Sequence, residues 1–152
     1  MRIAEISSTP VFVAYASQPL AAAAREMRTQ DVGALVVVDP RDPQQRPLGI
    51  ITDRDIVRGQ LERSADLYCL TVADVMTRDP LTVAADAGLG EAIRAMSERG
   101  VRRAPVVDRS GGLVGVVTMD DVLPAVAREL NELAGITVVQ ARGQRLRARE
   151  AE

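Results

Sequence analysis

Apolar residues follow a helical rhythm and then a strand rhythm along this chain, and the whole succession occurs twice. Leu20, Ala23, Ala24 and Met27 stand at i, i+3, i+4 and i+7, and Leu89, Ala92, Ile93 and Met96 repeat that spacing. Such spacing lines one face of an amphipathic helix. A short strand near Val11–Val13 or Thr82–Val83 precedes each helix, and a β-branched strand, Ala34–Val38 or Ala104–Val107, follows it. Next come a turn rich in Pro, Asp or Gly and a further strand, Leu48–Ile51 or Leu113–Val117. A second helix, Asp53–Leu61 or Asp120–Leu130, closes each copy. Pro124 then falls in a first helical turn, where proline is tolerated. The order is β-α-β-β-α, twice, an α+β (α/β) pattern.

Residue offsets support the duplication. Pro10-Val11-Phe12-Val13 matches Pro80-Leu81-Thr82-Val83 at 70, the two amphipathic helices match at 69, and Gly49-Ile50-Ile51-Thr52-Asp53-Arg54-Asp55 matches Gly115-Val116-Val117-Thr118-Met119-Asp120-Asp121 at 66. The drift comes from one residue before the first helix and from a longer hairpin loop, Pro40 to Pro47, in the first copy. Length changes confined to loops are expected of two copies of one structural unit. The predicted organisation is a repeat over 7–63, a linker over 64–71, a second repeat over 72–131 and a C-terminal tail over 132–152. Gly135 is placed to end the last helix. Gly135–Val139 reads as one added edge strand, and the Arg- and Ala-rich segment from Gln140 reads as mobile or partner-bound.

Composition narrows the function. The chain has 152 residues, 47% of them apolar and 26% charged, with a formal net charge of −2. That suits one globular module and gives no electrostatic reason to bind nucleic acid or anionic membrane. No run approaches the ~18 apolar residues of a membrane span. An acidic residue near the start and no apolar segment behind it argue against a signal peptide, so cytoplasmic residence is the expectation. There is no histidine and one cysteine, Cys69. Cys/His zinc sites, histidine acid–base chemistry and an internal disulfide are excluded, and no metal site is expected. With Phe12, Tyr15 and Tyr68 the only aromatics, a bound base would be sandwiched by aliphatic side chains.

The doubled Gly-x-x-Thr-x-x-Asp stretch carries the chemistry. Its two aliphatics suit a buried strand, so Thr and Asp fall on the turn into a helix, where N-terminal amides favour anions. Thr followed three residues later by an acid is also a near capping box. Cap and ligand site are both open for Thr52 with Asp55 and for Thr118 with Asp121, and the roles are compatible.

With the repeat laid out, the chain resembles a tandem pair of cystathionine-β-synthase-type (CBS) domains, a Bateman module, from about Ser7 to Leu130. The carrying segments are Asp74-Val75-Met76-Thr77, Arg103-Ala104-Pro105-Val106-Val107-Asp108 and the two Gly-x-x-Thr-x-x-Asp stretches. The resemblance implies two repeats packed by pseudo-two-fold symmetry with two clefts. It further implies adenosine-type ligands (AMP, ADP, ATP, sometimes S-adenosylmethionine) and a flat homodimer. It assigns ribose contacts to Thr52, Asp55, Thr118 and Asp121, and phosphate contacts to Arg102 and Arg103, whose planar forks suit phosphate. Arg54 is a further phosphate candidate; its counterpart Asp120 would repel phosphate. The first-copy matches of Arg102 and Arg103 are Gly33 and Ala34, so the two clefts should differ. Val32, Gly33, Ala34, Val101, Ala104 and Pro105 are placed around the adenine, with Ile51 and Val117 as further aliphatic faces.

No nucleophile–base pair is visible, so the expected role is a non-catalytic regulatory module binding AMP, ADP or ATP, with no required cofactor. The rival reading is a ligand-free scaffold for dimerisation and a protein partner. A third, a redox protein, would act through Cys69.

Overall fold

The computed structural model describes residues 1–64 and 66–150, with 137–150 described by backbone alone. After a short 3-10 helix, Ile3–Glu5, the first unit runs β1 (Val13–Tyr15), α1 (Leu20–Gln30), β2 (Ala34–Val38), β3 (Gly49–Thr52) and α2 (Asp53–Arg63). One turn of helix, α3 (Val72–Val75), leads to β4 (Thr77–Arg78). The second unit follows as β5 (Val83–Ala84), α4 (Leu89–Arg99), β6 (Arg103–Val107), β7 (Leu113–Thr118) and α5 (Met119–Glu150).

Each unit has its own sheet and core. In the first, β1 lies parallel to β2 and β2 antiparallel to β3; in the second, β5, β6 and β7 repeat that arrangement. The helical faces read from the sequence are buried as expected: Leu20, Ala23 and Met27 in one core, Leu89, Ala92 and Met96 in the other. Leu35 and Val37 point into the first core, while Val36 and Val38 are buried on the opposite face of the same strand. A strand covered on both faces reads as an unbroken apolar run rather than an alternation.

The segments leading into the repeats are exchanged. β4, from the leader of the second repeat, pairs antiparallel with β3 of the first (Ile50↔Thr77). Reciprocally, Ser8 bridges Val116 on β7, with N···O distances of 2.8 and 3.2 Å. Ile3 and Ile6 accordingly pack in the second core, and Leu70, Val72 and Met76 in the first. The packing units therefore differ from the sequence repeats: Ile3, fully buried, lies ahead of the expected start at residue 7, and Leu70 lies in the expected linker.

This exchange explains the first glycine of each Gly-x-x-Thr-x-x-Asp stretch. A Cβ on Gly49 would lie 2.8 Å from the Thr77 carbonyl oxygen and 2.9 Å from the Met76 sulfur. On Gly115 it would lie 2.8 Å from Ser7 Oγ. Only a residue without a side chain lets the crossing leader approach so closely.

The end of the chain departs from the sequence reading. Gly135 does not terminate the last helix and Gly135–Val139 is no edge strand; α5 continues to Glu150. One interior glycine costs a helix only about 1 kcal/mol, and good helix formers stand on both sides of it (Glu132, Leu133 and Ala134 before, Gln140 and Ala141 after). Pro124, the sixth residue of α5, lies beyond the first turn rather than within it, leaving the Asp120 carbonyl without its i+4 amide partner.

Candidate functional site

A cleft of about 630 Å³ opens between the two sheets, within the ~300–1,000 Å³ of typical small-molecule sites. Both units and the exchanged leader build it. From the first unit come Val32 to Val36, Ile50 and the turn Thr52–Arg54; from the second come Arg102, Arg103, Val116 and the turn Thr118–Asp120. The leader segment Ser8 to Phe12 forms a further wall. The two turns, expected in separate clefts, border this same one.

Of the expected site residues, Thr52, Thr118, Arg54, Arg102, Arg103, Val32, Gly33 and Ala34 line the cleft. Asp55, Asp121, Val101, Ala104 and Pro105 are not among its lining residues. Ala104 is fully buried in the second core, Val101 packs against that core, and Pro105 is buried opposite Val116 in the β6–β7 ladder. Ile51 and Val117 also face the cores, fully buried. Their neighbours Ile50 and Val116 face the cleft instead. Successive side chains alternate across a strand, so a shift of one position exchanges core for cleft.

Asp55 and Asp121 are engaged as helix caps. Asp55 Oδ2 accepts hydrogen bonds from the Thr52 backbone N–H at 2.9 Å and from the Thr52 hydroxyl at 2.8 Å. The Asp55 N–H donates back to Thr52 Oγ1 at 3.1 Å, completing a capping box. Asp121 Oδ2 likewise accepts from the Thr118 N–H and hydroxyl, at 2.8 and 2.7 Å, and its Oδ1 accepts from the Ser8 hydroxyl at 3.4 Å. Asp55 borders a separate recess of about 220 Å³, beside Arg58, Arg63 and Asp74.

The charged rim of the cleft contains groups that the motif reading missed. Asp53, at the first position of α2, sends its N–H to the Gly33 carbonyl (3.2 Å) and accepts the Arg54 N–H on Oδ1 (2.8 Å). A Cβ on Gly33 would lie 3.6 Å from Asp53 Oδ2 and 3.8 Å from Arg103 Nη1. Arg103 thus crosses from the second unit to lie over the first. Among the described residues, the ion pairs include none made by Arg54, Arg102 or Arg103. Asp53 was visible as the residue after the capping Thr. The leader wall was not, because which sheet it joins is decided by tertiary packing.

Away from the cleft, Cys69 is a free, exposed thiol. Among the described residues there is no cluster of three or more His, Cys, Asp or Glu able to hold a metal ion. No helix among them is long and apolar enough to cross a membrane.

Comparison with known proteins agrees with this architecture. The chain belongs to the CBS domain family, whose family model matches residues 3–62 and 72–128. It is thus a tandem CBS pair. The uncharacterized protein MK0525 of Methanopyrus kandleri is 32% identical over 121 residues; the match takes in 80% of this chain and 60% of MK0525. Among solved structures, the CBS domain protein PAE2072 of Pyrobaculum aerophilum, complexed with AMP, superposes with a TM-score of 0.73 at 25% identity, covering 84% of this chain and 99% of that one. The CBS domain pair of protein MJ0100, in complex with 5-methylthioadenosine and S-adenosyl-L-methionine, gives 0.71 at 26% identity over 83% and 99%.

Proposed function

We propose that this chain is a regulatory, non-catalytic module that binds an adenosine-type ligand in the cleft between its CBS repeats. AMP, ADP, ATP and S-adenosylmethionine are the candidates. The observation that carries the reading is the cleft itself: aliphatic walls, two turn hydroxyls and three arginines that make no ion pair among the described residues converge on a space of about 630 Å³. That related CBS pairs hold AMP, or 5-methylthioadenosine with S-adenosylmethionine, supports it. In this reading Arg54, Arg102 and Arg103 take the phosphate. Thr52 and Thr118 reach the ribose, and Asp55 and Asp121 fix the orientation of those hydroxyls. Val32 and Ala34, with Ile50 and Val116, sandwich the base.

Regulation would follow if the ligand prefers one arrangement of the repeats, since only differential affinity shifts an equilibrium. A homodimer is part of the proposal, because Val57 and Leu61 on α2 and Leu123 on α5 are apolar and more than half exposed. Residence in the cytoplasm belongs to the same reading. The capped state of Asp55 and Asp121 favours the second reading, a ligand-free scaffold for dimerisation and a protein partner.

Calorimetric titration with AMP, ADP, ATP and S-adenosylmethionine separates the two. The proposal expects saturable binding of at least one of them, abolished or strongly weakened in Arg103→Ala. No heat and no thermal shift with any of the four would leave the scaffold.

A further inference from the structure

We propose that Asp53 limits the cleft to a ligand with a single phosphate, making it selective for a nucleoside monophosphate over the di- and triphosphate. The inference rests on the adenosine-type reading of the cleft and narrows it. Counting the charged groups of the lining, Arg54, Arg102 and Arg103 face Asp53 and Asp120, three positive against two negative. The lining therefore has one net positive charge. A phosphomonoester carries about −1.5 to −2 near neutrality, and each added phosphate brings roughly one more negative charge.

Position makes Asp53 the deciding group. Its Oδ2 and the Arg103 Nη1 both lie within 4 Å of the point where a side chain on Gly33 would begin. They nevertheless do not form an ion pair among those described. A phosphate held by Arg103 therefore has a carboxylate as its near neighbour. One phosphate can turn its oxygens toward Arg54, Arg102 and Arg103. A second or third must extend past these cations and meets the Asp53 carboxylate, an exposed like charge at the cleft rim that repels it. The Asp53 backbone is held by the Gly33 carbonyl and its Oδ1 by the Arg54 N–H, so the carboxylate is not free to swing out of the way. The pseudo-symmetric residue, Met119, carries no charge, so the discrimination arises on one side of the cleft only.

The test is a titration of the full chain with AMP, ADP and ATP in EDTA, repeated with magnesium, for the wild type, Asp53→Asn and Asp53→Ser. Thermal melts establish that each variant is folded; serine keeps a short polar side chain in the first helical turn. The wild type should bind AMP at least tenfold more tightly than ATP. Each variant should shrink that ratio about tenfold, chiefly by gaining ATP affinity. An unchanged ratio in folded variants that bind overturns this inference and leaves the adenosine reading intact. A wild type that favours ATP in magnesium also overturns it, since the carboxylate would then be holding a cation. Binding of none of the three overturns this inference, and the adenosine reading falls with it when S-adenosylmethionine also fails to bind.

Discussion

Thr52 and Asp55 hold each other across the start of α2: the threonine N–H and hydroxyl both donate to one carboxylate oxygen, and the Asp55 N–H donates back. A capping box satisfies amides that have no partner inside the helix. Asp55→Ala should therefore cost about 1 kcal/mol, measured as a lower urea midpoint with an unchanged slope. Affinity for AMP should fall less than in Arg103→Ala, because Asp55 lies outside the cleft. A loss of binding as large as that of Arg103→Ala, in a folded variant, would return Asp55 to direct ribose contact.

Arg102 and Arg103 lie on the second unit, and the positions matching them in the first, Gly33 and Ala34, carry no charge. Phosphate contacts should therefore be concentrated on one side. Hydrogen bonds to a charged group contribute about 1.5–3 kcal/mol, so Arg103→Ala should weaken AMP by roughly 10- to 150-fold while leaving adenosine nearly unaffected. Raising the salt concentration should narrow that gap. Calorimetry with AMP and adenosine side by side checks this; equal losses for both ligands would mean that Arg103 holds the wall rather than the phosphate.

The leader crossing gives a stability prediction. At Gly49 an added methyl meets the Thr77 backbone carbonyl and the Met76 sulfur, and backbone yields poorly. At Gly115 it meets the Ser7 side chain, whose hydroxyl can rotate away. Gly49→Ala should cost about 1–3 kcal/mol by overpacking, and Gly115→Ala less. Ser7→Gly should recover most of the second loss. Denaturant unfolding of the three variants checks the order.

How far the sequence went is clearest at these positions. The repeat, both amphipathic faces and the strand Ala34–Val38 were legible because each depends on local periodicity that the fold does not override. Thr52, Arg54 and Thr118 were legible because they sit at strand-to-helix turns fixed by the motif, and Arg102 and Arg103 because they stand at the start of a β-branched strand. The exchange of leaders was not, since Ser8 and Thr77 have the same local character whichever sheet they join. Ile51 and Val117 were assigned to the cleft and lie in the cores, because an apolar pair on a strand does not declare which member faces which side. The motif acids act as caps, one of the two compatible roles that the spacing itself had left open.

Acid should loosen the molecule through three exposed turns. The hydrogen bond from the Ser110 side chain, then the Gly112 and Ser110 N–H groups, hold the Asp108 carboxyl below its ordinary value of 3.8. The Thr71 N–H and hydroxyl do the same for Asp74, and the Arg41 side chain for Asp39. A carboxyl with a lowered pKa in the folded state adds stability that is present above its unfolded value and is lost as pH falls through the folded one. Tm should thus fall below about pH 3.8. Asp108→Asn, which keeps an acceptor but cannot titrate, should make that fall shallower. Melting curves from pH 7 down to pH 3 check it, and an unchanged acid slope would show that this turn opens without consequence for the fold.

Gly135 offers the sharpest contrast between the two readings of the chain's end. A glycine that ends a helix adopts a left-handed backbone, and alanine there is strained. In this structure Gly135 has no such positive φ, α5 continues past it, and nothing lies within 4 Å of where its Cβ would be. Alanine should then fit without a clash and remove the entropic cost of glycine inside a helix, up to about 1 kcal/mol. Gly135→Ala should raise the helical signal in far-ultraviolet circular dichroism and leave Tm unchanged or higher, with the cleft unaffected in nucleotide titrations. A lower Tm with less helix would mean that the helix stops at Gly135 in solution, and that residues beyond it follow the strand pattern instead.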